Sequence, residues 1–127
     1  MTVARCLILS AGIVLFCTGL AHLLGYSHVI PILVASSAPR HIVSAIKGLW
    51  LTYSAHLVLL SVAIVWISRL SGTRSLLLFL ALIPVADAIL MYHFVGLFIG
   101  FYAVSIAALL LLIGGWLLPH AEKHAPQ

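Results

Sequence analysis

From Ser75 to Leu118 the chain carries a single charged side chain, Asp87, in a run that is otherwise apolar or uncharged. As one helix this run would extend about 66 Å at 1.5 Å per residue, more than twice the roughly 30 Å hydrocarbon core of a bilayer. Two crossings joined by a tight turn use that length, and Gly96 and Gly100 are the natural place for the turn. The pattern predicts helix three at about 75–95 and helix four at about 100–118, closed by Trp116 and Pro119.

The rest of the chain reads the same way. Hydrophobic residues make up 65% of it, charged residues only 6%, and the mean hydropathy is +1.30. A soluble domain devotes about a quarter of its residues to charge, so the bilayer is the solvent this composition suits. Arg5 opens a first apolar run over about 5–26, which is long for a secretory leader and has no convincing small-residue cleavage site. A second run at about 42–68 lies between Ala38-Pro39-Arg40 and the Arg69 to Arg74 turn, with Trp50 and Trp66 placed as interfacial anchors. Residues 27–41 are expected to form the longest loop, lying along the interface, and 119–127 a short polar tail. The expected fold is an all-α integral membrane protein: one domain, an antiparallel four-helix transmembrane bundle.

The net charge of +4 is scattered over six cations rather than gathered in a basic patch, which argues against a nucleic-acid surface. Four crossings put Arg5, Arg69, Arg74 and Lys123 on one side and Arg40 and Lys47 on the other. The split favours cytoplasmic termini by the positive-inside rule. Cys6 and Cys17 lie about 16 Å apart along one helix, too far for a disulfide, and neither belongs to a C-x-x-C pair. The chain resembles in type the small inner-membrane proteins of bacteria. It lacks the early glutamate of small multidrug transporters, the glycine-rich arginine motif of fluoride channels and the cysteine pairs of quinone-linked disulfide enzymes.

Small residues recur at heptad spacing: Gly12 and Gly19; Ser54, Ser61 and Ser68; Gly100, Ala107 and Gly114. Such stripes let helix backbones approach closely in lipid. An intramolecular seam is the expected use, with a homo-oligomer or partner membrane subunits as the alternative.

An embedded carboxylate costs at least about 2.5 kcal/mol unless it is neutralised or paired, so Asp87 marks the place to look for function. With helices one to four alternating in direction, His22 and His93 fall at similar depth near the loop side. His56 and Asp87 form a deeper layer and are the expected pair. The candidate site is therefore a buried polar cluster of His22, His56, Asp87 and His93. Thr18 four residues before His22, Thr52 and Tyr53 before His56, Tyr92 beside His93 and the helix-bending Pro84 support it. Asp87 and His93 are about 120° apart around their helix, so they need not face one neighbour.

Three functions fit these residues. The first is a non-catalytic subunit or stabilising component of a membrane complex, whose polar groups fasten its helices. The second is a redox or ligand site near His22 and His93 for haem b, a quinone or another lipid-soluble ligand. The third is proton-coupled transport through Asp87 and His56. No residue set has the spacing of a metal site. His120 and His124 on the tail read as solvated surface, and no constellation names a catalysed reaction.

Overall fold

The computed structural model describes residues 2–119; Met1 and residues 120–127, with His120, Lys123 and His124, lie outside the described residues. Four helices follow one another: α1 (Val3–Ala35), α2 (Arg40–Ile67), α3 (Arg74–Phe94) and α4 (Ile99–Trp116). Each is long and apolar enough to span a membrane.

Helices two to four lie close to their expected positions, and α1 does not. The expected loop at 27–41 is helical up to Ala35, leaving only Ser36 to Pro39 as the connection. Passing through Pro31 removes one donor and keeps the rest of the ladder, while Ile30 stays buried at 8% exposure. Pro84 is accommodated likewise and is buried inside α3.

The turns sit where backbone freedom allows them. Gly72, between α2 and α3, has φ +69°, and Gly96, between α3 and α4, has φ +88°. The Gly96 amide donates back to the Met91 carbonyl at 3.0 Å and closes the end of α3. Gly100 is not part of this turn but lies in the first turn of α4.

Helix α1 packs between α2 and α4, and α4 between α1 and α3. The α2 and α3 backbones approach each other at few points, and α1 does not meet α3. The core repeats in steps of three and four: Ile8, Ala11 and Leu15 on α1; Leu57, Leu60 and Ile64 on α2; Leu77, Ala81, Pro84 and Ala88 on α3; Val104, Ala107 and Leu111 on α4.

Two of the small-residue stripes face each other. A methyl added at Gly12 would meet Val65 Cγ2 at 3.0 Å, and one at Gly19 would meet the Ser54 carbonyl at 3.2 Å. Ser54, Ser61 and Ser68 are all buried. On the other side of α1, a methyl at Gly114 would meet Ile8 Cγ1 at 2.8 Å and the Ala4 carbonyl at 3.0 Å. The missing side chains are what let α1 approach both neighbours.

Candidate functional site

Helix α2 repeats polar and aromatic groups on the side it turns to its neighbours: Trp50, then Tyr53 and Ser54, then His56. Spacings of three and four place successive members one above another along the helix. Two polar groups from other helices meet this ladder.

The first is His22 from α1. Its Nδ1 is 2.9 Å from Ser54 Oγ, its ring stacks on Trp50 with centroids 4.3 Å apart, and Tyr53 meets it edge-on at 5.2 Å. Trp50 Nε1 donates to the His22 carbonyl at 2.6 Å, and the Ser54 hydroxyl donates to the Trp50 carbonyl at 3.0 Å. The first and second of these bonds knit α1 to α2 at one level, and the third, within α2, orients Ser54.

The second is Asp87 from α3, whose Oδ2 lies 3.1 Å from His56 Nε2. This is the pairing expected from depth. Tyr53 connects the two groups, since its ring stacks on His56 at 5.9 Å and its hydroxyl points at Met91 Sδ at 3.9 Å.

The four-residue cluster therefore resolves into two linked pairs without His93. That residue is exposed and packs edge-on against Phe94 at 4.7 Å. Its rotation around α3 relative to Asp87 carries it away from the neighbour that Asp87 meets. His22 and His93 are thus not assembled into a two-histidine haem site. Depth alone matched them, while the facing of their helices separates them.

Among the supporting residues, Thr18 is half-buried and donates to the Val14 carbonyl at 2.7 Å. Thr52 is exposed, and Tyr92 is exposed with its ring tilted against Phe101 at 5.9 Å. Two residues matter more than the sequence suggested. Trp50, read as an interfacial anchor, stands ten residues inside α2, and Ser54, read as one of a small-residue stripe, is the partner of His22. Their spacing with Tyr53 on one helix face was the available signal.

Beside His22 lies a cavity of about 590 Å³ that is open to the exterior of the bundle, with exposed Ile13 and Ile99 on its rim. Cys17, Thr18 and His22 of α1, Trp50 and Tyr53 of α2, Met91 of α3 and Ala103 of α4 are among the residues of its wall, together with Phe98 and Ile99 at the start of α4. The lining is almost entirely apolar, and His22, Tyr53 and Thr18 are among the residues with polar side chains that border it. Among the described residues, no group of three or more His, Cys, Asp or Glu side chains is arranged to hold a metal ion.

Comparison with protein-family models finds no match, and comparisons with curated proteins and with solved structures find none either. The functional reading rests on the geometry.

Proposed function

We propose that the chain is an integral membrane protein, an antiparallel transmembrane bundle with both termini cytoplasmic, that holds a lipid-soluble small molecule in the cavity beside His22. The apolar exterior supports insertion: Ile32 is 73% exposed, Leu24 72% and Phe79 65%, whereas serines are buried inside. A soluble protein distributes these types the other way round. Residue order supports the antiparallel arrangement, because Gly12 neighbours Val65 while Gly25 neighbours Trp50, and Gly115 neighbours Leu78 while Phe101 neighbours Tyr92. Arg5, Arg69 and Arg74 then lie at one end, the end the positive-inside rule assigns to the cytoplasm.

The observation that carries the ligand reading is the cavity itself. Its volume falls in the range of small-molecule sites, and its apolar wall with few polar groups is the usual composition of such sites. The competing reading, a stabilising subunit with no ligand, draws on the bonds that fasten α1 to α2 through His22 and Ser54 and α2 to α3 through His56 and Asp87.

One experiment separates them. Protein purified in mild detergent is extracted with organic solvent and analysed by mass spectrometry, alongside Ala103→Phe, which fills the cavity. A small molecule that accompanies the parent protein and is lost from a folded Ala103→Phe supports the ligand site. Equal lipid content in both, with equal stability, favours the subunit.

A further inference from the structure

We infer that the ligand of this cavity carries a hydroxyl group that donates to His22 Nε2, as a hydroquinone or another phenolic or alcoholic lipid does; the inference rests on the ligand-site reading above.

The hydrogen-bond arithmetic leads to this chemistry. A carbonyl can only accept, so the 3.0 Å contact between Ser54 Oγ and the Trp50 carbonyl consumes the one proton of the serine hydroxyl. Ser54 Oγ must then accept from its other neighbour, His22 Nδ1, at 2.9 Å. In its neutral form His22 therefore carries its proton on Nδ1 and a free electron pair on Nε2. The Trp50 indole, donating to the His22 carbonyl at 2.6 Å and stacking on the ring, holds the imidazole in that orientation.

Nε2 has no protein partner among the described residues, yet it is not sealed away, since no buried side-chain nitrogen or oxygen among them lacks a bond. It belongs to a residue that borders the cavity. The wall thus offers an oriented acceptor at the edge of an apolar space. A purely hydrocarbon occupant would leave that acceptor desolvated and unpaired, whereas a hydroxyl on an apolar body satisfies it.

Tyr53 adds the complementary group. Its hydroxyl faces the thioether of Met91 at 3.9 Å, a weak acceptor that a ligand carbonyl or hydroxyl oxygen would replace with gain. One acceptor and one donor beside a single apolar cavity match a ring bearing two oxygens.

The test compares two probes, decyl hydroquinone and its dimethyl ether, by equilibrium binding to the full-length protein in lipid nanodiscs under reducing conditions. The hydroquinone is expected to bind about ten-fold more tightly than the ether, the effect of one hydrogen bond to an otherwise unpaired acceptor. His22→Asn keeps a nitrogen near the position of Nδ1 for Ser54 but has nothing at the position of Nε2. It should bind both probes with the affinity of the ether, while His22→Gln, which can place an oxygen near Nε2, should retain part of the preference. Equal binding of both probes to the parent protein overturns the hydroxyl inference and leaves the cavity as an apolar ligand site. Binding of neither overturns the ligand site and this inference together. Should the His22 variants fail to fold, the comparison of the two probes on the parent protein decides alone.

Discussion

His56 Nε2 lies 3.1 Å from Asp87 Oδ2, and the bond joins α2 to α3 where their backbones hardly meet. With Tyr53 and Met91 just above it, this pair is the main polar link across that gap.

The two partners should therefore not contribute independently to stability. Asp87→Asn keeps a hydrogen bond to His56 and should cost less than about 1 kcal/mol, while Asp87→Leu should cost about 1–2 kcal/mol. His56→Leu leaves the carboxylate unpaired in an apolar setting and should cost about 2–3 kcal/mol. The double leucine variant should lose less than the two singles combined, which equilibrium unfolding in mixed detergent micelles would measure.

Close packing along α1 predicts opposite signs for two glycine changes. Gly114→Val would drive side-chain atoms into Ile8 and the Ala4 backbone and should destabilise by about 1–3 kcal/mol. Gly48→Ala meets nothing within 4 Å and should be neutral or stabilising by up to about 1 kcal/mol through helix propensity. The same unfolding assay, run on both variants, reads the contrast.

Ser54 sets the proton position on His22, so Ser54→Ala should release it. In nitrogen-15 NMR of histidine-labelled protein, the parent should show His22 as the tautomer protonated on Nδ1. The alanine variant should show a mixture or a shift toward Nε2. An unchanged His22 signal would rule out the bonding scheme drawn from the Ser54 contacts.

Filling the cavity should weaken ligand binding without unfolding the bundle. Ala103 is only half-buried beside open space, so Ala103→Phe can extend into the cavity. Affinity for decyl hydroquinone should fall at least ten-fold while the helical circular dichroism and unfolding midpoint stay near those of the parent.

The proposed orientation is checked with single cysteines at exposed Ser37 and Ser71 in a background where Cys6 and Cys17 are serine. A membrane-impermeant maleimide should label Ser37→Cys on intact cells and Ser71→Cys only after permeabilisation. The reverse pattern would invert the bundle.

Much of the architecture was legible before any coordinates. The four apolar runs set the number of helices because an unbroken apolar run is long or short against a fixed bilayer thickness. Asp87 and His56 were matched by depth alone, since rise per residue is a constant of the helix. Rotation is less readable from sequence. Depth placed His22 level with His93, but His93 is exposed and lies against Phe94.

The length of α1 also escaped the sequence reading. A proline and a run bounded by polar residues look like a loop, and whether a helix stops there depends on what Ile30 can pack against. The apolar composition and helical periodicity of this chain by themselves determine a small all-helical protein with four candidate membrane spans, because those properties follow from local geometry and hydropathy. Only the tertiary structure decided that Trp50, Ser54 and Tyr53 converge on His22 at the edge of a cavity. That convergence depends on how far the glycines of α1 let α2 approach and on which face each helix then presents.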